Sequence, residues 1–302
     1  GGMYLLQTVT AVYLRLLGHE ISNGGFVLDV NETPDPEEFE DAYMRYANAR
    51  VCPPRPAEKT YRVRGTKEPF YTLNVIDGIM SVSAVQKVAK QYQASITEYL
   101  NAVLLYSLLQ KQEHDFHLRL RPVRIAMPVN LRRFFPSKTL RNFITMVYPS
   151  IDPRLGDYTF EEIVTQVHHY MRYYINSKFL RGDITTNAST QRNPLIRIVP
   201  LFLKDFVVRQ FYQRVQDKNS SAGLTNMGAI RVPDDMKPYL ERFDIYMGIP
   251  YSQRTNCAIV SFEDTLTVNF ASCIIEADVE RRFFQKLVED GIPVTIESNR
   301  EL

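Results

Sequence analysis

The sequence has 302 residues, with 36 Lys and Arg against 34 Asp and Glu and a net charge of +2, so bulk charge offers no case for nucleic-acid binding. Hydrophobic residues make up 45% and charged residues 23%, a globular balance that excludes disordered and fibrous chains and fits one large domain or two lobes. The longest apolar runs, such as 102–109 with Tyr106 and Ser107 inside it, fall short of the roughly 18 residues that a membrane span needs.

Leu5, Leu6, Val9, Val12, Tyr13, Leu16 and Leu17 recur at three- and four-residue steps, which predicts an amphipathic helix over 4–17, stopped by Gly18. The chain enters it at Gly1-Gly2-Met3, without the Ser, Thr, Asp or Asn that usually caps a helix, which predicts missing residues upstream. Residues 32–67 are rich in charge and proline (Pro34, Pro36, Pro53, Pro54, Pro56) and read as linker and surface loop around one short helical stretch, 36–48. Strands are expected at 61–63 and 70–76, the second ending at the turn dipeptide Asp77-Gly78. Helices follow at 83–93 and 96–110, the latter capped by Ser95 or Thr97. The stretches 124–129 and 143–151, rich in Val, Ile and aromatics, read as buried strands, and 158–175 and 194–215 as long helices. Strands are expected at 223–231, 243–247, 257–262 and 266–273, the last two joined as a hairpin at Glu263-Asp264. A helix over 277–290, closed by Gly291, and a strand over 293–297 end the chain. This non-alternating order predicts α+β layers, not a doubly wound sheet.

Asn130, Arg132 and Arg133 stand at the end of a strand, where ligands often approach; they either orient a carbonyl and meet a phosphate or cap a turn and solvate a surface. Asn142, ahead of the next strand, has the same two readings. Around Asn226 and Gly228 a strand of small polar residues either lets a ligand approach closely or forms a β-bulge. His168-His169 fall mid-helix beside Val164, Val167 and Met171, one ring packed and the other solvated. Ser220-Ser221 lie in no Gly-x-Ser-x-Gly elbow, and no Gly-x-Gly-x-x-Gly or Walker loop occurs. Asp29, Asp35, Glu37 and Glu38 read as a solvated acidic face. The apolar and basic helix over 194–215 either covers a sheet or touches a lipid. No ligand cluster supports a metal. Cys52, Cys257 and Cys273 are odd in number and read as reduced thiols, and with no secretory leader in view the expected location is cytoplasmic.

Five stretches give a resemblance: Ser95-Ile-Thr-Glu-Tyr-Leu-Asn-Ala102, Ala126-Met-Pro-Val-Asn-Leu-Arg-Arg133, Thr139-Leu-Arg-Asn-Phe143, Leu224-Thr-Asn-Met-Gly-Ala-Ile230 and the closing 258–270. Their order resembles the chloramphenicol-acetyltransferase-like superfamily, which holds CoA-dependent acyltransferases and condensation domains, and is most similar to its alcohol O-acetyltransferase branch. Asp244-Ile-Tyr-Met-Gly-Ile-Pro250 keeps the Asp244, Gly248 and Pro250 of that family's Asp-Phe-Gly-Trp-Gly-Lys-Pro motif, whose Asp is structural and pairs with an Arg. Tyr246 and Met247 depart from it. The resemblance implies a two-lobe sandwich: 1–30 as a helix and the end of the N-terminal lobe, 31–68 as linker, and 69–302 as the C-terminal lobe. It also implies that Gly1-Gly2-Met3 directly follows the family's His-x-x-x-Asp-Gly, so that the catalytic His and Asp precede Gly1. His168-His169 do not replace them, because the condensation-type His-His-x-x-x-Asp-Gly would need Asp and Gly where Tyr173 and Tyr174 stand.

The activity so implied is transfer of an acyl group from acetyl-CoA or another acyl-CoA, as co-substrate, to a small alcohol, with an acyl carrier protein as a possible donor. Asn130, Arg132, Arg133, Asn142, Asn226 and Gly228 are then the candidates for the substrate and CoA channel. The alternative is a non-catalytic binding or assembly module on the same scaffold, holding a carrier protein or a lipid; a His-x-x-x-Asp upstream of Gly1 separates the two.

Overall fold

The computed structural model describes residues 1–48, 50, 58–69, 72–115, 119–192, 200, 201, 203, 205, 219–249 and 253–300. Among them eight strands, β1 (Asn74–Ser81), β2 (Val123–Asn130), β3 (Ile144–Val147), β4 (Ser150–Ile151), β5 (Ala222–Ala229), β6 (Thr255–Phe262), β7 (Thr265–Ser272) and β8 (Thr295–Ser298), form one sheet. Its order is β3-β2-β5-β6-β7-β1-β8, with β4 beside β2. β5 runs parallel to β2 and β6, and the other pairs are antiparallel. The α-helices are α1 (Gly2–Leu16), α2 (Ala42–Tyr46), α3 (Val82–Gln91), α4 (Ile96–His114), α5 (Phe160–Tyr174), α6 (Ser177–Arg192) and α7 (Asp278–Glu289).

Alternation in β6 shows how the sheet serves two cores. Cys257 and Ile259 join the large core that α3 to α7 build, whereas Val260 and Phe262 join a smaller one with Ala11 and Leu14 of α1, as a two-residue side-chain period requires. At the centre of the large core, α4 is buried on every side: Tyr99, Leu100, Ala102, Val103, Leu104, Leu105 and Leu108 have no exposed surface. Its start is closed by a reciprocal capping box between Ser95 and Glu98, which satisfies amide donors that burial would otherwise orphan. The aromatic rings of Phe270, Phe283 and Phe284 meet edge-to-face at 5.1–5.6 Å where α7 crosses the sheet.

Several expectations need correction. Asp77-Gly78 is not a turn but lies inside β1, paired across to β7 and β8. Its glycine is required by contact, since a Cβ at Gly78 would enter the Phe284 ring. The expected strand over 143–151 is two strands, because the Tyr148 N–H turns away to the Tyr170 hydroxyl and Pro149 has no N–H to give the ladder. Residues 61–63 are not a strand: Tyr61 donates to the Pro122 carbonyl, and a single bridge, Lys67 to Ile274, ties that segment to the sheet. Residues 243–247 are irregular and are held by side chains, with the Thr267 hydroxyl donating to the Phe243 carbonyl and Ile245 N–H donating to Asn269 Oδ1. The helical stretch over 36–48 is a 3-10 turn, Pro36–Phe39, followed by α2. Ala42, Ala47, Tyr61 and Val63, inside the stretch read as linker, belong to the main core. Helix α6 was not expected at all. The expected helix over 194–215 lies mostly outside the described residues, as do Cys52 and Pro250. Cys257 is buried and Cys273 half-buried, both free thiols.

Substituting Gly78 with Ala is expected to lower stability by about 1–3 kcal/mol through overpacking against Phe284, read as a fall in the urea midpoint at constant slope. Glu280 of α7 is 1% exposed and accepts a hydrogen bond from the Thr255 hydroxyl at 2.6 Å. Burial pushes its carboxyl above the ordinary 4.5, against the smaller downward pull of that bond. The folded chain therefore keeps a proton that the unfolded chain has released, so stability falls as pH rises from 4.5 through the folded value. Glu280→Gln, neutral throughout, is expected to lose less stability than the wild type between pH 4.5 and neutrality; parallel stability profiles would refute this.

Candidate functional site

Strands β2 and β5 are parallel neighbours that share only two register pairs, Ile125↔Ala222 and Ala126↔Gly223. Beyond them the ladder stops and the C-terminal halves part. Continued register sets Asn130 level with Met227, so the ends of the two strands flank one gap.

On the β2 side the chain turns at Leu131–Arg133, capped by Asn130, whose Oδ1 accepts the Arg132 N–H at 3.1 Å. Arg132 is already committed. Its Nη2 donates to the Thr139 and Arg141 carbonyls at 2.7 and 2.6 Å, and Nε reaches the Thr139 carbonyl at 3.2 Å. Burial holds its guanidinium below the usual arginine value. Thr139 Oγ1 in turn donates to the Glu40 carbonyl at 2.7 Å and to that of Glu38 at 3.2 Å, so the loop before β3 is stapled to the segment preceding α2. Arg133 and Asn142 are exposed. Gly1 packs against the Leu140 backbone.

On the β5 side the register with β6 shifts between Asn226 and Ala229. Gly228 takes the bulge with φ of 75°, a left-handed conformation that glycine adopts without steric cost. Asn226 closes it: Oδ1 accepts the Gly228 N–H and Nδ2 donates to Thr97 Oγ1 at the start of α4, both at 2.8 Å. Between the flanks, fully buried Asn101 of α4 donates to Met127 Sδ at 3.6 Å, while its Oδ1 has no partner among the described residues. A buried amide oxygen of this kind costs free energy unless something else satisfies it.

The remaining candidates stand elsewhere. Asp244 pairs with Arg242 at 2.9 Å, and Arg242 reaches Glu297 at 2.6 Å. Asn269 Nδ2 bridges Asp244 Oδ1 at 3.0 Å and Asp77 Oδ1 at 2.8 Å, and Tyr246 donates to Asp77 Oδ2. Burial, above all, raises the Asp77 carboxyl above its ordinary value. Gly248 accepts from Asn256 Nδ2, whose Oδ1 holds the Gly223 N–H. This network fastens the 242–248 segment across the sheet. His168 Nδ1 lies 3.3 Å from Glu98 Oε1 but out of hydrogen-bond alignment, and His169 is exposed; both are on α5. Asn101, Asp77 and Asn269 escaped the sequence reading, although an Asn inside an apolar helix or strand is the signal that marks them. Among the described residues no group of three or more His, Cys, Asp or Glu is placed to hold a metal ion, and no helix is long and apolar enough to cross a membrane.

No family model and no curated protein matches the sequence. Solved structures do match. Polyketide synthase associated protein 5 from Mycobacterium tuberculosis aligns at a TM-score of 0.54 and 12% identity over 95% of this chain and 69% of that one. The epimerization domain from the third module of tyrocidine synthetase B aligns at 0.51 and 12% over 95% and 65%. The nonribosomal peptide synthetase FmoA3 aligns at 0.51 and 10% over 85% and 24%. The chain thus spans under two thirds of the length of the latter two. At such identities the likeness is one of architecture: the chain shares the mixed α/β fold of these structures.

Proposed function

We propose that the chain is the larger part of a CoA-dependent O-acyltransferase that moves an acyl group from a thioester to a small alcohol. The observation that carries this reading is the gap where parallel β2 and β5 part, flanked by Asn130 and the Asn226–Gly228 bulge, with Gly1 against the Leu140 backbone beside it. The general-base His belongs there, in a His-x-x-x-Asp-Gly preceding Gly1. It takes the alcohol proton as the oxygen attacks the thioester carbonyl, the C–S bond breaks, and the proton passes to the departing CoA thiolate. No covalent enzyme intermediate is needed. Holding donor and acceptor in line makes the attack effectively unimolecular.

The hydrogen bonds divide the labour among the candidates. With its donors spent on carbonyls, Arg132 shapes the loop and leaves exposed Arg133 as the group for a CoA phosphate. Asn226 is engaged on both sides of its amide and shapes the wall. Acetyl-CoA or a longer acyl-CoA is the donor, with carrier-bound thioesters as the variant, and the location is cytoplasmic. The chain alone acts as a binding module on the same scaffold.

The test is thiol release from acetyl-CoA in the presence of an alcohol by the protein extended upstream of Gly1. Replacing the upstream His with Ala is expected to slow turnover about 100-fold or more; an extension lacking that His, or an unaffected variant, ends the catalytic claim. In the same protein Arg133→Ala is expected to raise KM for acyl-CoA with unchanged Tm. Arg132→Ala is expected to cost about 2 kcal/mol of stability through its lost carbonyl bonds, measured by denaturant unfolding.

A further inference from the structure

At the opposite end of β2 from the gap lies a second cavity of about 410 Å³, lined by Arg62, Arg64, Arg119, Arg121 and Arg254 with Gly65 at its floor. Two short segments and one strand entry assemble it. Tyr61 and Val63 are buried while Arg62 and Arg64 between and after them are exposed, so an extended stretch turns two guanidiniums outward. Arg119 and Arg121, two residues apart and exposed, lead into β2, and Arg254 precedes β6. The backbone beneath is rigidly tied. Tyr61 N–H donates to the Pro122 carbonyl at 2.9 Å, and buried Gln112 of α4 clasps both backbone groups of Arg121, at 2.9 and 3.0 Å. Gly65 rests against the side chains of Ile274 and Glu276, which a Cβ there would have to displace.

Positive charge is in excess. Among the described residues none of the five guanidiniums forms an ion pair, and no carboxylate lines the cavity. Of the carboxylates near these segments, Asp115 accepts from the Tyr61 hydroxyl and pairs with Lys111 at 2.7 Å, Asp278 pairs with Lys111 and Arg281, and Glu276, which accepts from the Thr66 hydroxyl and N–H, sets one negative charge beside the five positive ones. A chain of net charge +2 thus gathers five like charges around one hollow, at a cost in mutual repulsion that a bound anion relieves. The volume suits a small molecule, and guanidinium forks match phosphate oxygens two at a time.

We propose that this cavity is a binding site for a diphosphate-bearing small molecule, separate from the strand-end gap. β2 alone sets the two about 23 Å apart at its per-residue rise, and nothing in the site depends on acyl transfer. The test is calorimetric titration of the chain with inorganic pyrophosphate at low salt, beside ADP and a glutamate oligopeptide of equal charge. Pyrophosphate is expected to bind, more weakly as salt rises. Arg62→Gln with Arg64→Gln, and separately Arg119→Gln with Arg121→Gln, are expected to weaken it about tenfold or more, while Arg172→Gln on α5 leaves it unchanged. ADP binding at least as tightly assigns the site to a nucleotide diphosphate, and pyrophosphate binding alone to the free anion; both uphold the proposal. No binding of pyrophosphate, binding by both double variants as tight as by the wild type, or equal affinity for the glutamate peptide would overturn it, the last by marking a surface for acidic protein.

Discussion

The burial of the long middle of α4, from Glu98 to Leu109, is the constraint on which the rest of this molecule depends. A helix with water on one side can leave its ends to solvent, whereas one enclosed by β2, α5 and α7 must have its polar groups met by protein. Ser95 and Glu98 answer that demand at the N-terminus. At the C-terminal end Gln112 and the residue just beyond the helix, Asp115, answer it by gripping Arg121 and Tyr61. Each solution reaches past the helix to a neighbouring segment. Thr97, one residue into the helix, fixes the Asn226 bulge, and Gln112 with Asp115 fixes the two arginine-bearing stretches. The scaffold's most buried element therefore positions both of its candidate sites.

The sheet is held by a different device. Apolar packing tolerates sliding, but a buried amide satisfied by two carboxylates does not. Asn269 joins Asp77 of β1 to Asp244 on the crossing segment, and Asn256 joins Gly223 of β5 to Gly248 on the same segment. A one-residue slip of β7 or β6 would turn these amides to the opposite face and strand the carboxylates. The register of the central strands is thus fixed by polar contacts at few points, while the surrounding Phe, Val and Ile supply the bulk of the burial.

Where periodicity alone decides an element, the sequence was sufficient. The helices at 2–16, 96–114 and 160–174, the 255–272 hairpin and the bulge around Gly228 follow from spacing, caps and small residues. Elements that depend on tertiary partners were not legible. Asp77-Gly78 looks like a turn because the reason for its glycine, the Phe284 ring, lies more than 200 residues away. Residues 243–247 have strand composition, yet their backbone bonds go to the side chains of Asn269 and Thr267, which no local pattern reports. Helix α6 has Gly182, three threonines and Asn187 against it, and packing on α2 and β3 overrides that propensity. The five arginines share no motif; they meet only because Tyr61, Gln112 and the entry to β6 meet.

The same distance that separates the two sites also insulates them. The roughly 23 Å that β2 sets between them is nearly three Debye lengths of about 8 Å at physiological salt, so through solvent the field of the arginine cavity is largely screened before it reaches the gap. Of the charged groups at the gap, Arg132 is tied to carbonyls and Arg133 stands in solvent, where the same screening applies. Charge at one end therefore cannot tune chemistry at the other through space. Any communication between them must pass through α4, as a shift of the helix that moves Thr97 against Asn226 when the Gln112 end is displaced. A helix packed on every side resists such a shift unless its neighbours move with it, so the fold favours two sites that act independently over two that are coupled.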